Sequence, residues 1–543
     1  DGPTHAANAA LIVDLLTGRC PQAKAFFEFN PALVPNWSGH AAMAVGIFFH
    51  ASLDQAEKIA CSLCFLLPAI GLRQIGALYQ KHDFRAWAGL AIGINSSFVY
   101  GGSYNFMIGI GLFLIAVAYY FKKRSHSKAW HFTVVFSLLL LGCWFSHILA
   151  FLFTGLVVFI HETQLLLQKK HFSLGDIPSI VVSWTKENWP LWCAFLPAVS
   201  LSLVYFLHPF KEYPMAFARG DLLGNLGTLF FMKDFFQVPA NDINLMGLYG
   251  LISLTAWVFI TKKIFSKSWD MIFFTLLLAG GILWLIPFIA PFSIKGGWFL
   301  IPRFNMAGWY LVIAASLRYS WGKNARDIFV LFCIAVFLGN LQAFALKREN
   351  STGFAQTSLA GVKLRNNTVI YNMDLVGLDH PNSAATPLFA PDTGVAILPA
   401  GNILADRSSC ILNLNNYEAM LDSFPLRFKL DRYPGPVWGV PYYNPDDRHY
   451  YPGFLELGKF DPKGFKQATG LPLDYLVVEG SGQMLANTTQ PGATLKKNYY
   501  SIHGPVFDSQ LQEPGKMGYR EIYRHVLDEK SSLRIFESDT NAP

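Results

Sequence analysis

The chain has 543 residues, of which 52% are hydrophobic, 15% aromatic and only 15% charged, and its mean hydropathy is +0.31. That balance excludes an ordinary string of soluble domains and points to the bilayer as solvent. The net charge of +7 is dispersed in short basic clusters between apolar runs, which reads as cytoplasmic loops and excludes a nucleic-acid face.

The chain opens on Asp1-Gly2-Pro3-Thr4-His5-Ala6-Ala7-Asn8 with no initiator methionine and no preceding apolar run, so a segment before Asp1 is expected to have been removed or lost. An apolar-faced helix follows, ending near Leu16-Thr17-Gly18, and Asp1, His5 and Asn8 at i, i+4 and i+7 share one of its faces. Two readings stay open. Asp1 and Gly18 suit the two ends of a helix as ordinary caps, whereas a carboxylate beside the membrane can serve as a general base. The second gains from Pro35-Asn36-Trp37-Ser38-Gly39-His40, which brings a further polar group to a span entrance. Residues 1–37 are thus read as an extracytoplasmic first loop with an amphipathic helix.

About ten spans are expected over 38–346, from the apolar runs Ser38 to Ser52, Ile59 to Tyr79, Asn105 to Phe121, Trp130 to His147, Ile148 to Leu167, Trp189 to Leu207, Leu245 to Ile260, Trp269 to Ala290, Met306 to Leu317 and Ile328 to Leu346. Basic clusters at Lys122–Lys128, Lys169 and Lys170, Lys262–Lys267 and Arg318–Arg326 mark cytoplasmic loops, and an even number of crossings separates each from the next. Counting outward puts Asp1 to Trp37, Gln80 to Tyr104, His208 to Asn244, Ala290 to Asn305 and everything after Leu346 on the far side. Ala86 to Val99 is apolar but short, so residues 86–104 are expected to be a re-entrant or interfacial segment lining an enclosed cavity.

Five of the seven cysteines, Cys61, Cys64, Cys143, Cys193 and Cys333, lie inside apolar runs and read as small buried hydrophobes. Cys61 and Cys64 have CxxC spacing without redox or zinc surroundings. Cys20 and Cys410 lie in the two extramembrane regions and meet only if those regions dock. After Leu346 the texture changes to Pro, Gly, Asn and Asp punctuation between short apolar runs, which predicts a mixed α/β soluble domain over 347–543. Its His380, Asp446, Asp447 and His449 form no metal-ligand spacing and read as solvated loop residues.

Polar groups at the outer ends of spans are the candidates for chemistry. His40 and His147 are either satisfied structural histidines or face a cavity. Pro291 to Phe304 joins a Gly296-Gly297 pair to Lys295 and Arg303; Arg303 can grip a phosphate with its planar fork and Lys295 acts as a point charge, against the alternative of lipid headgroup anchoring. Arg73 is a further cation that snorkelling explains.

An acidic residue opening the first outer loop, many spans, a Gly-Gly…Arg-Phe loop between late spans and an outer C-terminal domain together resemble the GT-C superfamily of integral-membrane glycosyltransferases. Bacterial members often read Asp-Gly-Pro-x-His, here Asp1, Gly2, Pro3 and His5, and continue to Pro-Asn-x-x-Gly-His, here Pro35, Asn36, Gly39 and His40. Gly102-Ser103-Tyr104-Asn105-Phe106 and Asn415-Asn416-Tyr417-Glu418-Ala419 are also similar. The resemblance implies a polytopic α-helical membrane protein of the bacterial inner membrane with its C-terminal mixed α/β domain extracytoplasmic. It further implies inverting transfer of a sugar from a polyprenyl-phosphate donor to a glycan, lipid or protein acceptor. Asp1 would be the catalytic base, and His5, His40, Tyr104, Asn105, His147, Lys295 and Arg303 would bind substrate. No cofactor is expected, because Gly2 replaces the second acidic residue often found beside the first and leaves a divalent metal without its pair. Asp14, a reserve carboxylate, lies about 20 Å along the helix axis at 1.5 Å per residue. Two other classes compete: a transporter or flippase of lipid-linked sugars gated by the 86–104 segment, and a membrane scaffold whose outer domain binds a glycan or partner.

Overall fold

The computed structural model describes residues 2–78, 84–94, 99, 102–124, 128–169, 182, 184–208, 243–265, 270–288, 300–316, 322–348, 359, 361–374, 410–414, 424–429, 442–444, 449–451, 466, 470–479, 519–526 and 532–538. In chain order the helices used below are α1 (Gly2–Thr17), α2 (Pro21–Phe26), α3 (Ser38–Phe48), α4 (Leu53–Ala77), α5 (Arg85–Ile94), α6 (Tyr104–Lys123) and α7 (Ala129–Ser146). They continue as α8 (Ile148–Lys169), α9 (Trp189–Leu207), α10 (Ile243–Phe265), α11 (Met271–Leu285), α12 (Leu300–Ser316) and α13 (Lys323–Arg348). The chain is mostly helical, and each of the ten apolar runs falls on a helix. Among the described residues, seven helices are long and apolar enough to cross a membrane, namely α4, α6, α7, α8, α9, α11 with its extension to Phe288, and α13. This is compatible with a multi-pass membrane protein. The helix α3 has 11 residues and α12 has 17, short of the roughly 20 that a perpendicular crossing takes.

The chain divides into two compact units. The first comprises Asp1–Gly2, Pro31–Phe344 and Ser423–Pro425, the second Pro3–Asn30, Ala345–Asp422 and Leu426–Pro543.

In the first unit, glycines set how closely helices pack and thereby reveal their directions. Moving along α4, Cys64 lies beside the Tyr104 carbonyl, Leu67 and Pro68 beside Gly111, and Gly71 beside Leu114. α4 and α6 therefore run parallel. α7 returns antiparallel, with Ser146 at Gly109, Gly142 at Leu112 and Phe132 stacked on Tyr119. α8 again follows α6, as Phe113 meets Phe153 and Tyr120 meets His161. Such small-residue contacts suit helices in lipid, where close packing replaces the hydrophobic drive.

This arrangement corrects the expected path of 80–104. That stretch was assigned wholly to the side opposite the Lys122 cluster, yet α4 descends in the same direction as α6 and α5 climbs back along it. Gly89 faces Pro68 and Ala69, and Gly93 faces Phe65. A ring contact of Phe84 with Phe329, early in α13, and of Phe65 with Phe337 gives the same order. The end of α4 and the start of α5 thus lie toward the end of the unit where α6 finishes at Lys123. α3 does not reach that end; it packs antiparallel on the first half of α4, Gly46 meeting Ala56 and Ile59. The start of α4 is fixed by a reciprocal cap, the Ser52 hydroxyl accepting the Gln55 N–H while the Gln55 side chain accepts the Ser52 N–H.

The second unit holds a five-stranded mixed sheet in the order β3-β2-β7-β9-β8, built from β2 (Val369–Asp374), β3 (Leu412–Asn413), β7 (Tyr475–Glu479), β8 (Tyr519–Val526) and β9 (Ser532–Ser538). β2 is parallel to β3 and β7, and β9 is antiparallel to β7 and β8. Leu359, Ile370, Tyr475, Val477 and Ile535 form its core. Residues 3–30 belong to this unit too. β1 (Phe27–Phe29) pairs with β4 (Leu426–Phe428), Arg427 bonds Glu28, Gln22 donates to the Asn367 carbonyl, and Cys20 is disulfide-bonded to Cys410. α1 is buried over both polar and apolar positions, His5, Asn8 and Asp14 included, and ends at Gly18 in the left-handed region, as its sequence predicts.

Candidate functional site

Three long helices of the first unit, α6, α8 and α12, begin at one end, and the polar residues of their first turns converge there. α7 stops at Ser146 and α8 starts at Ile148, so His147 sits at an extended corner with φ −164° and ψ 129°. This buried ring lies within 3.2 Å of the Leu149 N–H through Nδ1, and its Nε2 lies 2.8 Å from Arg303 Nη1 in the first turn of α12. Leu149 N–H and Arg303 are both donors, and a neutral imidazole has a single acceptor nitrogen, so the ring accepts from one of them and meets the other without a hydrogen bond. The half-buried Arg303 guanidinium also stacks 5.3 Å over the Phe106 ring, which meets His147 edge-on.

The residue beside Phe106 extends the cluster. Asn105 accepts the Gly39 N–H at 2.6 Å through Oδ1 and places its amide nitrogen 3.4 Å from His40 Nδ1. His40 Nδ1 is 3.1 Å from the carbonyl of Asn36, which adopts φ +71°. His40 and Asn105 are both buried. The Trp37 N–H reaches the Phe145 carbonyl at 2.7 Å, tying this loop to the end of α7. Tyr104 directs its hydroxyl to Glu57 at 2.7 Å, and a Cβ at position 39 would come within 3.0 Å of Asn105 Oδ1 and 3.2 Å of Tyr104 Cβ, a tight fit.

Of the residues singled out from the sequence, the structure brings together His147 with Arg303 and His40 with Asn105, the two pairs joined through the neighbours Asn105 and Phe106. Tyr104 flanks them. His5 is buried in the second unit. Asp1 and Lys295 lie outside the described residues. Electrostatically the site is a cation and a histidine set among the N-termini of α6, α8 and α12, whose partial positive charges all point to this end. Such a place suits an anion with several acceptor oxygens, above all a phosphate. Among the described residues no group of three or more His, Cys, Asp or Glu is arranged to hold a metal ion.

Phe106 was not foreseen as the platform, although its motif was. A buried polar network at the opposite end was missed altogether. Glu162 on α8 accepts both arms of Arg124 and the Tyr120 hydroxyl at 2.6 Å, Tyr120 also meets His161 at 2.8 Å, and Arg124 reaches Asn188 at 2.9 Å. The signal was available: His161-Glu162 interrupts an apolar run, where an ionisable residue demands a partner.

No known protein family matches the chain, and neither does any curated protein or solved structure.

Proposed function

We propose that the protein is an integral-membrane glycosyltransferase that takes a sugar from a polyprenyl-phosphate donor and passes it, with inversion, to an extracytoplasmic acceptor. One observation carries this reading: Arg303 and His147 meet beside Phe106 where three helices of the apolar unit begin, which sets a cation among helix N-termini at one end of the bundle. The reading includes a bacterial inner membrane as the location and an extracytoplasmic second unit. The basic residues Lys122, Lys123 and Lys169 at the other ends of α6 and α8 support that orientation, and a disulfide in the second unit fits an oxidising compartment.

In this mechanism the acceptor hydroxyl gives its proton to a carboxylate, its oxygen attacks the anomeric carbon, and the bond from that carbon to the phosphate oxygen breaks. Asp1 is the proposed base. The polyprenyl phosphate leaves with the electron pair, its charge held by Arg303 and the helix N-termini. His147 orients Arg303, and Asn105 and His40 shape the wall beside it.

The test is transfer of labelled sugar from a polyprenyl-phosphate donor by full-length protein in lipid vesicles. Arg303→Met and Asp1→Asn are each expected to abolish product formation while leaving the protein folded. Wild-type transfer by Arg303→Met sinks the phosphate-site reading. Movement of intact lipid-linked sugar across the bilayer without transfer favours the flippase alternative.

A further inference from the structure

We propose that the end of the apolar unit where α6 finishes carries a binding site for an anionic phospholipid, its headgroup held by lysines at three helix ends and its acyl chains laid against α7 and α9. Contacts between segments far apart in the chain assemble the site. Arg124, the residue after α6, donates to Asn188 Oδ1 just before α9 at 2.9 Å, and the buried Glu162 of α8 accepts from both Arg124 and Tyr120. One turn into α7, the Thr133 hydroxyl lies 3.0 Å from the Pro190 carbonyl. Farther along, Phe136 meets Phe195 edge-on and the Trp144 N–H reaches Ser202 at 3.0 Å, so α7 and α9 run parallel from a common start.

These ties gather charge. Lys122 and Lys123 close α6, Lys128 precedes α7, and Lys186 lies two residues before Asn188; Lys122, Lys128 and Lys186 are exposed. Glu162 neutralises Arg124 inside the bundle. Against the four lysines, the described stretches 122–124, 128–131 and 184–192 hold one carboxylate, that of Glu187. The negative phosphodiester of a phospholipid headgroup matches such ammonium point charges.

A second feature makes the occupant a lipid and not a soluble anion. Trp130, 64% exposed, is followed on α7 by exposed Val134 and Leu138 at intervals of four, hence on one face. On α9, exposed Trp192, Leu196, Val199 and Leu203 recur every three or four residues in the same way. Indole rings beside lysines mark a headgroup layer, and the apolar stripes lead from it into the hydrocarbon. The lysine stems can lie along that apolar surface while their ammonium groups stay at the headgroups. A molecule that satisfies both features is anionic at one end and apolar along the rest.

The inference rests on the apolar unit lying in a bilayer and is independent of the glycosyltransferase reading. Full-length protein in detergent is titrated with phosphatidylglycerol, or with phosphatidylcholine of the same acyl chains, and bound lipid is counted by native mass spectrometry. Wild type is expected to bind phosphatidylglycerol at least about tenfold more tightly, since each basic residue near an anionic surface contributes about fivefold. A variant carrying Lys122→Gln, Lys123→Gln, Lys128→Gln and Lys186→Gln should lose the preference, and equimolar free glycerol phosphate should not displace the lipid from wild type. Arg303→Met, at the opposite end of the bundle, should keep the preference, which separates this site from the proposed donor-phosphate site. Photoactivatable phosphatidylglycerol in vesicles should cross-link wild type within residues 120–140 and 184–200, and this map decides the matter if the fourfold variant does not accumulate. Equal binding of the two lipids, an intact preference in the fourfold variant, its loss in Arg303→Met, displacement by glycerol phosphate, or cross-links confined to other helices overturns the proposal.

Discussion

Arg303 and His147, 156 residues apart in sequence, stand 2.8 Å from one another, with Phe106 against both. The contact joins the first turn of α12 to the corner between α7 and α8. Arg303→Lys keeps the charge but loses the planar fork and the stack on Phe106, so on the proposed function transfer from a lipid-phosphate donor should fall about 10- to 100-fold, the worth of a charge-assisted hydrogen bond of about 1.5–3 kcal/mol. The rates of wild type and variant at saturating donor check this. Equal rates would mean that the guanidinium does not bind the phosphate.

Asn105→Ala removes the acceptor of the buried Gly39 N–H. The orphaned donor should cost about 1–3 kcal/mol. Thermal unfolding of the detergent-solubilised protein should show a lower midpoint for Asn105→Ala than for Asn105→Asp, which preserves an acceptor oxygen. Identical midpoints would show that the Gly39 bond contributes nothing.

Helix packing gives a paired test. A Cβ at Gly111 would sit 2.3 Å from Leu67 Cβ and 2.8 Å from its backbone carbon, whereas a Cβ at Gly281 would meet nothing within 4 Å. Gly111→Ala should therefore separate α4 from α6 and destabilise by about 1–3 kcal/mol or more, as overpacking does, while Gly281→Ala stays near neutral. Equal stability of the two variants would refute the close parallel packing.

Because α4 and α6 run in the same direction, their C-terminal ends are expected on one face of the membrane. Single cysteines replacing Leu78 and Arg124 should react with an impermeant thiol reagent from the same side of sealed, oriented vesicles. A cysteine replacing Ser52 should react from the other. Labelling of Leu78→Cys and Ser52→Cys from one side would restore the path expected from sequence.

Asp474 in the second unit supplies a pH dependence. Burial raises its pKa, opposed by its acceptance of the Val369 N–H at 2.8 Å and by nearby Arg365, while Glu537 adds to the rise. The folded unit therefore keeps this proton over a range in which the unfolded chain has lost it. Stability from this group is greatest below the ordinary Asp value of about 4 and declines as pH rises through the elevated folded value. Asp474→Asn should flatten that slope in melting curves of the full-length protein. A variant slope as steep as that of wild type would exclude the assignment.

Much of the architecture was legible in residue order. Apolar runs mark the helices because lipid-facing and packed positions are both apolar, and Gly18 marks the end of α1 because few other residues adopt its backbone angles. Direction was less legible. Lys81 and Arg85 flank a short apolar segment that length alone reads as non-crossing, and only the contacts of Gly71, Gly89, Gly93 and Gly111 show which way α4 and α5 run. For the candidate site, His40, His147 and Arg303 stood out as polar residues at span ends, but the meeting of His147 with Arg303 is a tertiary fact with no local signature. Cys20 and Cys410 likewise became a pair only once residues 3–30 proved part of the second unit.

That discontinuous unit has a consequence for biosynthesis. β4, the strand that β1 pairs with, lies roughly 400 residues beyond it in the chain. At about 5–20 residues per second the ribosome takes on the order of 20–80 s to reach it. Phe27, wholly buried in the finished protein, has no strand partner to pair with until that interval has passed.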